Sequence, residues 1–410
     1  MRILLIGLNF SPELIGIGHY TGELAQYLAQ RGHQVRVVTA PPYYPEWQVQ
    51  SGYSWWRYRH EHWQGISVFR CPVWVPRRPS GIKRLVHLLS FALTSFPVLI
   101  GQCSWKSNLI ICIAPSILNA PFALLSARLS GAKAWLHIQD FELDAAANLG
   151  MLPANQGMTK FAGWVECWLL GRFDQISTIS NRMLTRLAQK GVDPEEIYLF
   201  PNWVDTGFIF PLSASQNSLR NELCIPADKI IVLYSGNMGH KQGLENLIGA
   251  ARLLHTKEKI HFVLCGDGAV RPDLERNAEG LPNVQFLPLQ PFEKLNQLLN
   301  IADIHILPQR ADVADLVMPS KLSGMLASGK AVIAAANPGT EVAEIIGQVG
   351  AIVPPEDAPA LASAILKLAN NPEWMRSLGQ KGRVWVVANW SKEKVLNGFC
   401  EHLGSGEKRG

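Results

Sequence analysis

The segment that decides the fold is MPSKLSGMLASGKAVIA, residues 318–334. A short polar turn leads into one apolar helical face, and Gly329 separates that helix from a β-branched strand. The order turn, helix, glycine and strand is typical of a parallel α/β sheet. Free backbone N–H groups at such a helix start bind anions, and this start also carries Lys321. The segment therefore predicts a phosphate site above a sheet.

The same alternation of predicted strands and helices runs through both halves of the chain. Apolar runs that predict strands in the first half are Ile3–Gly7, Val35–Thr39, Ile66–Arg70, Leu109–Ala114, Ala132–Ile138, Gln175–Ile179 and Ile197–Phe200. In the second half they are Ile230–Tyr234, Ile260–Cys265, Val284–Phe286, Ile304–Leu307 and Ala331–Ala334. Two similar α/β domains, 1–205 and 206–388, are expected to face each other across a cleft that holds the active site. Residues 389–410 are expected to form a closing helix.

Composition narrows the class of protein. The 410 residues carry a formal net charge of +5 without a long basic run, which excludes a typical nucleic-acid binder. The small basic excess fits anionic small molecules or an acidic membrane surface equally well. Seven scattered cysteines without a Cys-x-x-Cys pair indicate reduced thiols in the cytoplasm, and no metal site is predicted. The apolar run at Ile3–Gly7 is too short for a signal peptide.

Two constellations in the first half point to substrate contacts. Gly16 and Gly18 lie at the start of a predicted helix, where a backbone can approach a ligand closely. Their spacing, G-x-G-x-x-x-G with Gly22, argues against dinucleotide binding, and a simple connecting loop is the alternative. At the end of the strand Ala132–Ile138, Asp140 is predicted to orient substrate hydroxyls or to act as a carboxylate near the reacting carbon. His137 is either a catalytic hydrogen-bond donor or a satisfied packing histidine.

The second half offers a phosphate-binding composition. The loop Gly236–Gly243 joins a strand to a helix and carries Asn237, Lys241 and Gln242, while Gly266, Asp267 and Gly268 follow the next strand. In the opening segment, Lys321 supplies a cation, and Ser320 with the adjoining Met318 and Leu322 supplies the donors that suit a pyrophosphate. Ser320 acting only as a helix N-cap is the alternative.

The segment 76–101 has a different character. Polar residues His87, Ser90 and Thr94 recur at helical spacing beside an apolar stripe, and basic pairs such as Lys83-Arg84 precede them. An amphipathic helix of this kind lies on anionic lipid, whereas 17 residues from 85 to 101 with an internal proline are marginal for spanning a bilayer. The alternative is a crossover helix packed on the first sheet.

Taken together, these motifs resemble the retaining glycosyltransferases of family 4, which have the GT-B fold. The resemblance covers nearly the whole chain and is strongest to the branch that builds colanic-acid-type exopolysaccharides. The motifs that carry it are Pro12–Gly18, 137–142, 177–180, 201–205, 234–244, 266–268 and 318–329.

The resemblance implies an N-terminal acceptor domain, a C-terminal nucleotide-sugar domain and a last helix that crosses back to the first domain. It also implies a metal-independent reaction, without a cofactor, that retains the anomeric configuration. Lys321, Ser320 and the loop Gly236–Gly243 are expected to hold the diphosphate, with Arg271 nearby. Ser180 and Asn202 are expected to shape the cleft. The branch suggests fucose or a related hexose, from a guanosine diphosphate donor.

The chain departs from the family pattern in three ways. Leu316 and Gly324 stand where many members carry two glutamates, the second of which holds the nucleotide ribose. Asn237 and Gln242 replace the usual arginine and lysine, although Lys241 lies one position away. Gln139 replaces the histidine that usually precedes the aspartate.

Three functions are consistent with these residues. The first is a cytoplasmic sugar transferase, peripheral on the inner membrane face, that acts on a lipid-linked or polysaccharide acceptor. The second is a nucleotide-sugar epimerase of the same fold, which needs an internal acid–base set such as Asp140 and His137. The third is a catalytically silent nucleotide-binding partner, which the missing glutamates would explain.

Overall fold

The computed structural model describes residues 1–13, 16–78, 81–115, 117–141, 156–311 and 318–407. The chain divides into two compact units, one of Met1–Pro201 with Phe399–Gly410 and the other of Asn202–Gly398. Each unit has its own parallel sheet and its own hydrophobic core. The predicted α/β class with two Rossmann-like parallel sheets is confirmed.

The sheet of the first unit has the order β3-β4-β2-β1-β5-β6-β7-β8 in the described residues. All neighbours pair in parallel except β3 with β4. The strands are β1 (Arg2–Gly7), β2 (Gln34–Thr39), β3 (Arg59–Trp63), β4 (Ile66–Arg70), β5 (Leu109–Ala114), β6 (Lys133–Ile138), β7 (Gln175–Thr178) and β8 (Ile197–Leu199). Its helices are α1 (Gly16–Gln30), α2 (Gly81–Gln102), α3 (Ala120–Ser130), α4 (Gln156–Leu170) and α5 (Asn181–Gln189).

The sheet of the second unit is parallel throughout, in the order β11-β10-β9-β12-β13-β14. The strands are β9 (Ile230–Ser235), β10 (Ile260–Cys265), β11 (Val284–Leu287), β12 (Ile304–Leu307), β13 (Ala331–Ala335) and β14 (Ala351–Val353). The helices are α6 (Leu219–Glu222), α7 (Glu245–Leu253), α8 (Arg271–Asn277), α9 (Leu295–Ile301), α10 (Lys321–Ala327), α11 (Glu341–Val349), α12 (Ala358–Ala369) and α13 (Pro372–Trp390). A last helix, α14 (Lys392–Glu407), contains residues of both units.

Two strands are absent from the sequence-based prediction, β3 and β14. The strand β3 is an antiparallel edge strand whose side chains are mostly exposed, so it lacks the continuous apolar run of a buried strand. The strand β14 has only three residues. The central strands β5 and β10 are buried along almost their whole length, which is why their apolar runs predicted both bounds.

The short helix α10, which carries Lys321, is fixed from its apolar side. Leu322, Met325 and Leu326 are fully buried, and truncating one such leucine to alanine typically lowers stability by about 2–5 kcal/mol. The helix α13 packs closely against the turn that follows α10. A Cβ atom at Gly379 would lie 2.2 Å from the carbonyl oxygen of Gly329, so only glycine fits there. This contact sets the position of the turn between α10 and β13.

Candidate functional site

The carboxyl ends of β9 and β10 in the second unit carry two interlocked glycine turns. Gly236, Gly266 and Gly268 have positive φ angles of 137°, 145° and 152°, which favour glycine. A Cβ atom on Gly266 would lie 2.0 Å from the carbonyl oxygen of Gly236. The amide of Met238 donates to the carbonyl of Asp267 at 2.7 Å, which joins the two turns. The structure therefore brings the predicted donor-binding residues 236–238 and 266–268 together at one sheet edge.

Lys321 lies directly above this edge. Its Nζ is 4.3 Å from the ring centroid of Tyr234, and a Cβ atom at Gly236 would lie 4.0 Å from the same Nζ. Burial lowers the pKa of Lys321 to about 7, and no described carboxylate offsets that shift. A lysine in this state gains its charge most readily when an anion binds beside it. The environment therefore suits a phosphate, as the sequence predicts.

The start of α10 supplies fewer donors than the sequence suggests. The amide of Leu322 already donates to the carbonyl of Pro319 at 3.0 Å, and its side chain is fully buried in the core. Ser320 is exposed and stands at the N-cap position of α10, but its hydroxyl makes no capping bond. Met318 is half-buried and packs against the core. Lys321 and the Ser320 hydroxyl remain as groups that can reach a ligand here.

The loop Gly239–Gly243 is closed by its own residues. The Gln242 side-chain Oε1 accepts from the backbone N–H of Gly239 at 3.2 Å. The backbone N–H of Gln242 donates back to the Gly239 carbonyl at 3.2 Å. The side-chain oxygen of Gln242 is thus engaged in a local turn, and its ligand contact stays a prediction. Lys241 and Asn237 are exposed. Gly243, at a positive φ of 59°, lies against Arg310, whose Cγ would be 3.3 Å from a Cβ atom there.

Two arginines of this unit have contacts that differ from the sequence-based expectation. Arg271 was expected near the diphosphate, but it donates to the carbonyls of Gly266 at 2.6 Å and Leu287 at 3.2 Å and pairs with Glu275 at 2.8 Å. It supports the glycine turn from within the protein. Arg310 was not predicted, yet it follows β12 and reaches the Gly243 loop. The rule that ligands bind at the carboxyl ends of parallel strands would have found it.

In the first unit, the position of His137 favours the packing alternative. Its Nδ1 lies 2.9 Å from the Ser177 hydroxyl and its Nε2 lies 3.0 Å from the Gln139 amide nitrogen. Burial lowers the pKa of His137 to about 3, so the imidazole is neutral. Both ring nitrogens are occupied, which leaves none for a substrate. Gln139 shares a face with His137, as strand alternation predicts, and is itself buried.

Asp140 lies two residues after the end of β6, and it is half-buried. It borders a small cavity that is also lined by Phe141 and Glu166. Glu166 pairs with Lys190 inside the protein, and the Lys190 Nζ lies 5.3 Å from the centre of the Phe141 ring. Asp140 thus lies at the sheet edge where it was expected, and its catalytic role stays a prediction. The predicted neighbour Glu142 lies outside the described residues, as does Leu316.

Two glycines at the start of α1 are required by different local contacts. Gly16 is the first residue of the helix, with φ of 66°, and a Cβ atom there would lie 3.5 Å from the ring of Tyr44. A Cβ atom on Gly18 would lie 2.4 Å from Glu13 Oε2. Gly18 therefore makes room for a buried carboxylate, and its role as a ligand contact stays a prediction.

Glu13 was not predicted as a functional residue. Its carboxylate accepts from Asn9 Nδ2 and from the amides of Tyr43 and Tyr44, each at 3.0 Å. Burial raises the pKa of Glu13, and these three bonds act in the opposite direction. Glu13 thereby fixes the aromatic loop after β2 against the start of α1. The sequence gave no sign that Glu13 is buried, because a glutamate in a loop is usually exposed.

Two further predicted residues have structural contacts. Ser180 is buried, and its hydroxyl caps α5 by accepting from the amide of Met183 at 3.2 Å. Asn202 is half-buried, and its Oδ1 is buried without a hydrogen-bond partner among the described residues. Asn202 therefore keeps an unused acceptor, whereas Ser180 does not.

Among the described residues, no three His, Cys, Asp or Glu side chains converge as metal ligands would. One described helix, Gly81–Trp105, is long and apolar enough to cross a membrane by length and composition, with a mean hydropathy of 1.6. Part of that helix is buried in the first unit.

Comparison with family models divides the chain in the same order as its two sheets. A glycosyl transferase 4-like domain matches residues 16–203, and a glycosyl transferases group 1 domain matches residues 215–385. The chain is 42% identical over 411 residues to WcaI of Escherichia coli (strain K12), a provisionally assigned colanic acid biosynthesis glycosyl transferase. The match covers 98% of this chain and 100% of that relative.

Solved structures match over the whole chain at low identity. Sucrose-phosphate synthase from Thermosynechococcus elongatus has a TM-score of 0.76 at 20% identity, with full coverage of both chains. HepE from Anabaena, solved in complex with UDP-glucose, has a TM-score of 0.70 at 17% identity and covers 99% of this chain and 100% of that one. At such identities the match shows the GT-B fold alone.

Proposed function

The chain belongs to the group 1 glycosyltransferases, and from that premise we propose that it moves a hexose from a nucleotide-diphosphate sugar to a growing glycan. The acceptor in this proposal is a lipid-linked or polysaccharide chain of colanic-acid-type exopolysaccharide synthesis, in line with the name of the relative WcaI. Fucose or a related hexose is the proposed cargo. The reaction retains the anomeric configuration and takes place at the cytoplasmic face of the membrane.

One observation carries the donor half of the proposal. The Lys321 Nζ lies over Tyr234 and beside the interlocked glycine turns, with no described carboxylate offsetting the effect of burial on its pKa. A diphosphate at this edge would pair with that cation and reach the Ser320 hydroxyl. The solved complex of HepE with UDP-glucose supports a nucleotide sugar as the kind of ligand.

The chemistry follows from where charge develops. When the bond between sugar and diphosphate breaks, negative charge grows on the diphosphate and positive charge on the sugar ring. A pre-positioned cation stabilises the leaving group more in the transition state than in the ground state. Lys321 supplies that cation from the protein itself, so the proposed reaction needs no metal ion. Asp140 is the proposed carboxylate for the sugar or acceptor side.

The epimerase alternative loses one of its two residues. It needs an acid–base pair that can exchange a proton with the sugar ring, and His137 was the candidate partner of Asp140. The imidazole is buried and neutral, and both of its nitrogens are engaged. A silent nucleotide-binding partner remains as an outcome for experiment to exclude.

The test uses the purified full-length chain and a panel of nucleotide sugars, each with and without a membrane lipid extract. Nucleotide release that depends on lipid supports the transferase. Conversion of the sugar without nucleotide release would establish the epimerase instead. Binding without turnover under every condition would establish the silent partner. Analysis of the product linkage then decides whether the anomeric configuration is retained.

A further inference from the structure

The helix α2 carries apolar side chains on both its buried and its exposed side, and the polar residues of its sequence lie on the buried side with Leu88, Phe91 and Leu99. His87 is buried, with its Nδ1 2.6 Å from the Trp74 carbonyl and its Nε2 3.0 Å from the Tyr43 hydroxyl. Thr94 donates to the carbonyl of Pro72 at 2.5 Å, on the same inward side. The polar stripe of the sequence thus faces the protein. A surface helix of a soluble protein normally keeps its outward side polar, which α2 does not.

The outward side of α2 is apolar as well. Its exposed large side chains recur every three or four residues over the first three turns and again near the end of the helix, and we name this set the outer apolar face: Ile82, Leu85, Val86, Leu89, Leu93 and Ile100. Among the described residues, 15 of the 21 exposed large hydrophobic side chains belong to the first unit, so the pattern is local to it. A contiguous patch of this kind marks an interaction surface.

Aromatic side chains border this face on one side. The Tyr58 hydroxyl donates to the carbonyl of Thr94 at 3.0 Å, which holds the loop of Trp55 and Trp56 against α2. Both tryptophans are more than half exposed, and the guanidinium of Arg57 lies 4.4 Å from the centre of the Trp56 ring. Tryptophan beside a cation is typical of the level at which lipid head groups meet acyl chains.

The helices α3 and α4 extend the surface on the other side. Phe96 of α2 packs against Phe122 of α3 with ring centroids 4.8 Å apart. Leu125 of α3 and Trp168 of α4 then line one surface groove, and both are exposed. The apolar surface therefore continues beyond α2, which the sequence did not predict.

The charge of this region identifies what covers it. Between Glu46 and Asp140 the sequence carries ten lysines and arginines and a single acidic residue, Glu61. Residues 47–139 thus hold a formal charge of +9, although the whole chain has only +5. The exposed cations near the face along the sequence are Arg57, Arg77, Arg78, Lys83 and Arg84, whereas Arg59 pairs with Glu61 at 3.0 Å. A second copy of the chain would bring two such charges together, whereas an anionic bilayer neutralises them.

We propose that the outer apolar face and its arginine and lysine border dock the first unit onto an anionic lipid bilayer, with α2 lying parallel to the surface. A spanning orientation is inconsistent with the packing, because the same helix buries Phe91, Ala92 and Leu99 in the core of the first unit. The inference rests on the proposed function, since docking presents the enzyme to a lipid-linked acceptor.

Vesicle sedimentation tests the surface directly. The full-length protein is mixed with vesicles of phosphatidylcholine alone or with phosphatidylglycerol added, at low and high salt. We expect binding to the anionic vesicles only, with release by high salt. Protein that stays in the supernatant, or that binds both vesicle types equally, would overturn the proposal. Bound protein that only detergent extracts would show a spanning helix instead.

Matched variants separate the face from general surface effects. Leu89→Gln with Leu93→Gln, at side chains 45% and 59% exposed, should weaken vesicle binding about tenfold. Leu253→Gln with Leu289→Gln in the second unit, 54% and 67% exposed, should leave it unchanged. If both pairs of substitutions change vesicle binding equally, the outer apolar face is not the surface that binds the bilayer.

The contribution of the border cations is tested by a second variant and its control. Lys83→Glu with Arg84→Glu should weaken binding at least about 30-fold at low salt, since each cation near an anionic surface contributes on the order of a fivefold gain. Lys257→Glu with Lys259→Glu, at exposed lysines of the second unit, is the control. A dimer that Leu89→Gln with Leu93→Gln dissociates, without vesicle binding, would assign the face to a second copy.

Nucleotide binding measured on the same samples keeps the two proposals distinguishable. The Leu89→Gln, Leu93→Gln variant should keep the nucleotide affinity of the parent, because the candidate donor site lies in the other unit. Vesicle binding without nucleotide release from any donor would contradict the proposed function and leave the docking surface standing.

Discussion

Replacing Lys321 by alanine is expected to remove most of the grip on the donor diphosphate. The Nζ of Lys321 is the cation above the glycine turns, 4.3 Å from the Tyr234 ring centroid. At an effective dielectric constant of about 20, a unit charge about 4 Å from a phosphate oxygen contributes about 4 kcal/mol. Solvent at the ligand and the ordering of the side chain reduce this to about 2–3 kcal/mol. Nucleotide affinity and kcat/KM should therefore fall on the order of 10²-fold.

The pKa of Lys321 adds a signature that a simple loss of packing would not produce. With a pKa of about 7, the lysine is protonated in about half of the free molecules at pH 7, so charging it for the ligand costs only about 0.4 kcal/mol. Each pH unit above 7 adds about 1.4 kcal/mol to that cost. Donor affinity of the parent should then decline about tenfold per pH unit until the contribution of the lysine is lost. The alanine variant should show a flat profile, and Lys321→Arg should stay charged and keep its affinity at pH 9.

Stability of the ligand-free protein should respond to pH with the opposite sign. The folded pKa of about 7 lies below the ordinary lysine value of 10.5, so the unfolded chain binds the extra proton between these values. Unfolding free energy from this group therefore rises with pH across that window, by up to about 1.4 kcal/mol per unit. Calorimetric titration with nucleoside diphosphates and urea unfolding across pH measure both trends. A Lys321→Ala variant within threefold of the parent kcat/KM, or a flat parent profile, would refute the assignment.

Four further expectations concern other parts of the molecule. Initial rates should be unchanged by excess EDTA, and a rate restored only by Mg²⁺ or Mn²⁺ would reject metal-independent transfer. Gly266→Ala should lower the unfolding free energy by about 3 kcal/mol or more because its Cβ meets the backbone, whereas Gly280→Ala, at positive φ in open space, should lower it by about 1 kcal/mol in the same urea titration. Glu13→Gln should lower stability by about 2 kcal/mol, since its new amide faces a donor, and retention of parental stability would contradict the three bonds assigned to Glu13. Gly324→Glu should raise helix stability by up to about 1 kcal/mol and, if the carboxylate reaches the ribose, tighten nucleotide binding severalfold in calorimetry, with Gly324→Ala as the control for the helix effect alone.

The architecture could be predicted because buried parallel strands have a simple signature. The strand β5 has no exposed residue, so its apolar run gave both bounds, and the glycines that follow β9 and β10 marked the turns. The polar edge strand β3 has no such signature, and it was missed. Periodicity reports burial, so it fails where a strand is paired but exposed.

The site could be predicted by position more reliably than by the role of each residue. Residues at the ends of β9, β10 and β12 do lie near one another, as the topology requires. Yet Gln242 closes its own turn and Arg271 binds the carbonyls of the glycine turn. An amide or guanidinium in a loop has the same composition whether its partner is a ligand or the neighbouring backbone. Only the coordinates of the possible acceptors distinguish the two.

The helix α2 shows the same limit for a whole face. Helical periodicity separated His87, Ser90 and Thr94 from the leucines, but it could not say which stripe faces the protein. The inward choice follows from partners far along the sequence, since the carbonyls of Pro72 and Trp74 and the hydroxyl of Tyr43 need donors or acceptors at this depth. The inward side also buries Leu88, Phe91 and Leu99, so apolar residues lie on both sides of the helix and periodicity alone could not assign them. Leu85, Leu89 and Leu93 remain exposed on the outward side, and a bilayer is an environment in which their exposure is favourable.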